Sequence, residues 1–336
     1  MLVKKTAPPG VVKKNWTEHF CSIRLGNRGF WRASQNVIFT WVSWPFWTTF
    51  RVELHYYTGI RNFGDELSPY LISKITSRKV SLASSEEGLY AIGSILTHKA
   101  LWSSCVVWGT GTLCHDSLSG ETLRVFPLNR SIPKLIKRLI SPETTKADIR
   151  AVRGPLTREA ILKEGGKCPE IYGDPAIIMP RLYTPKIGAK HKAGLILHHT
   201  QETPTTHVLA KTCGFHQISI DRVRDEQLEN FIDEVCSCQK IFSSSLHGII
   251  LAQAYGIPAQ WIQITNTPIH RDANHKFADY FLGAGLPVQK PISIELTKES
   301  LSQLMQISPE RVHISSDLIE RLLEVFPFDI FPKKWS

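Results

Sequence analysis

The stretch FSSSLHGIILAQAYGIP, Phe242 to Pro258, sets three serines, a histidine and a glycine between two apolar runs. The first run reads as a strand and the second as a buried helix. His247 then falls in the helix's first turn, with Ser243, Ser244, Ser245 and Gly248 around it. A helix N-terminus disfavours added positive charge and lowers a histidine pKa. A neutral imidazole near pH 7 takes up a proton and returns it, the work of a general acid and base. The bland alternative is a core histidine satisfied by its neighbours; the serines and the glycine tip the reading toward function.

Three more polar clusters fall where strands hand over to helices or loops. Asn62, Gly64 and Asp65 in NFGDELSP follow a strand and open a helix, where backbone N–H groups favour anions; a capped Asx turn is the alternative. Arg153 in VRGPLTRE ends a strand ahead of a glycine. A guanidinium there can grip a carboxylate or phosphate through two parallel bonds, or make a surface salt bridge. In YGDPA, Asp174 either orients a sugar hydroxyl or caps a turn, and the turn is the favoured reading.

The elements that must position these residues alternate. RVELHYY is a strand, and a helix follows through ELSPYLISKI, capped by Asp65 or Ser68 with Pro69 in its first turn. LYAIGSIL and CVVWGTGTL are strand-turn units. DIRAVRGPLTREAILKEGG is a strand, turn and helix, and EIYGDPAIIMP a strand and loop. After the basic, proline- and glycine-broken RLYTPKIGAKHK come the strands AGLILHH, HQISI, KIFSSS and PAQWIQI, with helices over DEQLENFIDEVCSC and HGIILAQAYG. This alternation predicts an α/β protein of two Rossmann-like, doubly wound domains facing a cleft, over residues 51–185 and 190–336. Ligands bind such sheets beyond the carboxyl ends of the strands. Residues 1–50 form a basic, tryptophan-rich extension.

The hydrophobic fraction of 42% and charged fraction of 21% fit a folded chain, and the net charge of +10 suits an acidic partner. No nucleic-acid motif is evident, so a phosphorylated metabolite or an anionic membrane surface is the better partner. The seven cysteines lack CxxC spacing, which argues against zinc and a disulfide framework and for a reducing, cytoplasmic compartment. VIFTWVSWPFWTTF is too short to span a bilayer, which takes about 20 apolar residues. The segment 130–140, RSIPKLIKRLI, has an apolar face flanked by Arg130, Lys134, Lys137 and Arg138. It suits either the core or an anionic membrane interface.

NFGDELSPYL, VWGTG, AVRGPLT, YGDPA, LILHH and SSSLHGIILAQAYGIP occur in the order seen in polysaccharide pyruvyl transferases. The chain resembles that family, in particular the branch that pyruvylates bacterial exopolysaccharides such as succinoglycan. The resemblance implies a fold like that of GT-B glycosyltransferases. It implies transfer of enolpyruvate from phosphoenolpyruvate to two hydroxyls of a saccharide acceptor as a ketal; docking of the basic segment 130–140 at the inner face of the cell membrane would make that acceptor lipid-linked. By motif, His247 is similar to the catalytic histidine and Arg153 to the donor-binding arginine. Lys276 resembles a basic residue beyond the histidine motif, and His199 a histidine ending the second domain's first strand. Where many relatives carry arginine, this chain has Ser245, so Arg271, Lys276 or helix-end amides must hold the phosphate. The interval from Gly111 to Arg150 is also longer than the family usually shows. No metal or other cofactor is expected. The alternatives are a nucleotide-sugar glycosyltransferase of the same architecture and a non-catalytic carbohydrate-binding protein.

Overall fold

A computed structural model describes residues 51–60, 62–114, 117–118, 145–188, 190–267, 269 and 273–331. The extension 1–50, the segment 130–140 and Arg271 lie outside the described residues. Thr48–Ser336 forms one compact unit that contains two Rossmann-like parallel sheets flanked by helices.

The first sheet holds β1 (Val52–His55), β2 (Val80–Leu82), β3 (Gly88–Tyr90), β4 (Cys105–Trp108) and β5 (Asp148–Ala151) in the order β2-β1-β3-β4-β5. The second holds β6 (Gly194–Ile196), β7 (His216–Gln217), β8 (Ile241–Ser243), β9 (Ala259–Ile264) and β10 (Ile292–Ile294) in the order β10-β9-β8-β6-β7. Read from its other edge, the second sheet repeats the strand order of the first. Each therefore has a topological switch point, at β1/β3 and at β6/β8, where ligands of such sheets bind.

The helices are α1 (Phe63–Thr76), α2 (His98–Leu101), α3 (Pro155–Lys163), α4 (Met179–Leu182), α5 (Pro204–Thr212), α6 (Asp225–Cys236), α7 (Leu246–Ala254), α8 (Ala273–Gly283), α9 (Lys298–Gln306) and α10 (Ser316–Glu324). None of the described helices is long and apolar enough to cross a membrane.

Two sequence expectations are corrected. α1 starts at Phe63, and its cap is Asn62, whose side-chain oxygen accepts from the Gly64 N–H at 3.0 Å. Neither Asp65 nor Ser68 caps it, and Pro69 sits inside the helix. The short Asn62 amide reaches a first-turn donor from just outside the helix, while Ser68 Oγ accepts from the Ile92 N–H at 3.2 Å and ties α1 to the segment after β3. EIYGDPAIIMP forms no strand beyond a single bridge, Val152 to Tyr172. Gly173 turns with φ +142°, and a 3-10 helix, Pro175–Ile178, follows, with Pro175 unable to donate to a ladder.

Alternation along the strands divides the core into layers. Val107 and Ile149 face an outer core with Tyr90, Leu101 and Ile161; Leu195, Phe242 and Ile262 face another with Leu301 and Leu304. Between them, Val106, Trp108, Ile196 and Ile241 share a central core with Phe63, Leu67, Phe231 and Ile249. The two halves are thus joined by apolar packing: Phe63 of α1 stacks on Phe231 of α6 with ring centroids 3.9 Å apart. α10 returns to the first sheet, where Trp108 Nε1 donates to the Leu322 carbonyl at 2.8 Å.

Candidate active site

Two helix starts meet at the centre of the molecule. α7 is apolar along most of its length and buried, with Ile249, Ile250, Leu251 and Ala252 fully covered, so its first turn is fixed. His247 in that turn lies against the first turn of α1. A Cβ on Gly64 would overlap the imidazole at Nδ1, so glycine alone permits this approach. The His247 side chain keeps 13% exposure, and its Nε2 is buried without a hydrogen-bond partner. Asp174 Oδ2, also buried and without a partner, lies 3.9 Å from that nitrogen. The other carboxylate oxygen, Oδ1, accepts from the Ala176 N–H at 3.0 Å, so Asp174 caps the 3-10 helix and faces the imidazole at once.

Arg153 is fully buried. Its Nε donates to Asp279 Oδ2 at 3.1 Å, Nη1 to Ser94 Oγ at 2.6 Å and Nη2 to the Thr112 carbonyl at 2.8 Å. Asp279 comes from α8 in the other half. Its Oδ1 accepts from the Leu156 and Thr157 N–H groups at 2.9 and 3.0 Å, and its Oδ2 from Thr157 Oγ1 at 2.7 Å. The residue at the α3 N-cap is Gly154, which has no side chain to satisfy those donors; the carboxylate of α8 supplies the cap instead. The approach is close enough that a Cβ on Gly154 would overlap the Asp279 carbonyl, and one on Gly283 the Arg153 carbonyl.

The charges of this cluster act on one another. Burial, followed by the Lys276 and Arg153 cations, drives the His247 pKa down to about 3, so the imidazole is neutral. Burial lowers Lys276 to about 8, helped by Arg153 and opposed by Asp65. Burial lifts Asp65 to about 7 against the pull of Lys276, and Asp174 to about 6 against its backbone hydrogen bond and Arg153. A second anion entering here would be attracted to Lys276 and Arg153 and would raise the His247 pKa.

Of the residues singled out from sequence, Gly64, Asp65, Arg153, Asp174, His247 and Lys276 are brought together, with Asn62 capping the helix that carries two of them. The serines serve differently. Ser243 Oγ donates to the Ser245 carbonyl at 2.9 Å and accepts from the Ser245 N–H at 3.0 Å. Ser244 Oγ donates to Gln201 Oε1 at 2.6 Å and accepts from the His198 N–H at 2.9 Å. Ser245 is the α7 N-cap residue and makes no side-chain capping bond. Gly248 lets Ser243 and Ile196 close up beneath the helix. The His199 ring packs on that of His198, centroids 4.0 Å apart. Sequence reasoning missed Asp279, Ser94, Thr112 and Thr157. Two signals point to Asp279: a helix start at Gly154-Pro155 with no capping side chain, and a carboxylate inside the apolar run FADYF. Among the described residues, no three His, Cys, Asp or Glu side chains converge as metal ligands.

The chain is 24% identical over 245 residues to an uncharacterized protein, L143, of Acanthamoeba polyphaga mimivirus, an alignment covering 70% of this chain and 75% of that protein. Residues 104–266, which include Arg153, Asp174 and His247, match the family described as polysaccharide pyruvyl transferase.

Proposed function

We propose that the protein transfers the enolpyruvyl group of phosphoenolpyruvate to two hydroxyls of a saccharide, forming a pyruvate ketal and releasing phosphate. The observation that carries this reading is the buried, neutral His247 with an unpartnered Nε2 beside Asp174, set among the Lys276 and Arg153 cations. The donor is a small polyanion, and these cations supply the attraction. Its charge raises the His247 pKa and turns a weakly basic imidazole into a group able to hold a proton. Asp174, 3.9 Å away, stabilises the imidazolium once it forms.

A sugar hydroxyl adds to carbon 2 of the donor, and its proton reaches carbon 3 by way of His247. The C2–O bond to phosphate then breaks, with the departing charge met by Lys276. A second hydroxyl closes on carbon 2, and its proton leaves with the phosphate. Arg153, held by Asp279, Ser94 and Thr112 beneath the site, adds its positive charge to the field that draws the donor. The two sheets direct their switch-point helices, α1 and α7, toward one site, which favours a GT-B-like arrangement with the donor between the halves. The net charge of +10 favours work at the inner, anionic face of the cell membrane on a lipid-linked acceptor, with the protein itself cytoplasmic.

The test is phosphate release from phosphoenolpyruvate, measured with and without oligosaccharide acceptors. Acceptor-dependent release is expected, with His247→Ala reducing it by about a hundredfold or more. Release unaffected by His247→Ala removes the assigned mechanism, and sugar transfer from a nucleotide donor without phosphoenolpyruvate consumption replaces it with the glycosyltransferase reading.

A further inference from the structure

The switch point of the first sheet is an open groove of about 570 Å³ between the carboxyl ends of β1 and β3. We propose that this groove is the acceptor subsite and takes a saccharide ring; the inference rests on the transfer reading above.

The floor is rigid. The His55 ring at the end of β1 stacks on Tyr90 at the end of β3, with centroids 4.1 Å apart and planes 14° from parallel, and Tyr90 Oη donates to Glu86 Oε2 at 3.0 Å. Tyr57, in the same lining, is 50% exposed. An aromatic face that water covers in the free protein is a platform for the apolar face of a sugar ring. Polar groups suited to hydroxyls surround it. Trp102 Nε1 can only donate, so its 3.1 Å bond makes His98 Nε2 an acceptor and leaves Nδ1 as the protonated nitrogen. Lys99 and Glu86 add a cation and an anion to the same lining.

Nucleotide phosphates bind at a switch point through free N–H groups after a glycine-rich turn. Here the Gly64 N–H is taken by Asn62. Lys99 is the one lysine or arginine among the residues lining the groove, and Glu86 offsets its charge, a balance that suits a neutral polyhydroxylated ring better than a nucleotide. The groove lies close to the candidate active site: a Cβ on Gly93 would stand 3.6 Å from both Asp65 Oδ1 and Ile95 Cγ2. Ser94 holds Arg153, and the next residues of the same segment, Ile95 and Thr97, line the groove. Tyr56 on its wall feels the charge of Glu66, the neighbour of Asp65. A sugar seated on Tyr57 therefore lies next to the site where the donor's carbon 2 must be.

The experiment compares the full-length protein with Tyr57→Ala on an array of immobilised oligosaccharides spanning hexoses, deoxyhexoses, N-acetylhexosamines and uronates, with thermal shift by phosphoenolpyruvate measured in parallel. Tyr57 is exposed, so the variant keeps its melting temperature. The expected result is retention of a subset of glycans by the parent, at least about tenfold weaker retention by Tyr57→Ala, and an unchanged shift with phosphoenolpyruvate in both. Equal retention by the two proteins overturns the inference. So does a parent that retains no glycan, or one whose glycans are displaced by uridine diphosphate. Absence of a thermal shift with phosphoenolpyruvate in the parent counts against the donor assignment alone and leaves the groove result to be read separately.

Discussion

The two switch points of this molecule share a strand order and differ in what lies over them. At β6/β8, the first turn of α1 presses Gly64 onto His247, and the polar groups beneath are consumed by one another: Ser243 with the backbone of Ser245, Ser244 with Gln201 and His198. At β1/β3, a groove of about 570 Å³ is left to solvent, and Tyr57 stands half exposed in it. Where protein covers the strand ends, each polar atom must find a partner, and the atoms that do not are conspicuous; His247 Nε2 and Asp174 Oδ2 are two of them. Where water covers the strand ends, pairing carries no information, and function is read from shape, aromatic surface and charge.

This contrast predicts unequal sensitivity. The covered half depends on Asp279, which satisfies two α3 donors, the Thr157 hydroxyl and the Arg153 guanidinium in a fully buried site. Asp279→Ala leaves a fully buried cation and a helix start uncompensated, and is expected to cost about 3–5 kcal/mol in urea denaturation. Tyr57→Ala in the groove is expected to change stability by no more than about 0.5 kcal/mol. Similar losses in the two variants would erase the distinction between a packed site and an open one.

A subtler break is made at the contact itself. Gly64→Ala places a methyl group where the imidazole now rests. Overpacking of this kind costs about 1–3 kcal/mol. The imidazole is the part that can yield, so phosphate release should fall further than stability. A variant with unaltered turnover would mean that the ring's position against α1 is incidental.

Much of the packed site was legible because its signals are local. A histidine following serines at a strand-to-helix change, an arginine before Gly154-Pro155 and an aspartate after Gly173 each sit in one short motif. The start of α1 was misread because Asp65 and Ser68 competed with Asn62 for the cap, and only the fold shows which oxygen reaches the Gly64 N–H. Asp279 was illegible as a partner because it lies over a hundred residues from Arg153, in a helix whose periodicity says only that the position is buried. The groove was illegible for a different reason: His55 and Tyr90 belong to separate strands, and the stacking that makes a floor of them depends on β1 pairing with β3.

The buried imidazole also sets a change of slope with pH. The folded state holds the His247 pKa at about 3, below the ordinary 6.5, so the unfolded chain takes up a proton that the folded chain refuses. Stability from this group is complete above pH 6.5 and is lost as pH falls toward 3. Asp174, raised to about 6, acts in the opposite sense: its contribution is complete below 3.8 and is lost as pH rises through 6. Between pH 4 and 6 the two oppose each other. His247→Asn removes the first and leaves the second, so the variant should gain stability relative to the parent by about 1 kcal/mol for each pH unit of acidification in that window. Urea midpoints at pH 4, 5 and 6 measure this. A difference that stays constant with pH would mean that His247 is protonated alike in the folded and unfolded chains, and the packed half would then lack the neutral imidazole on which its contrast with the groove depends.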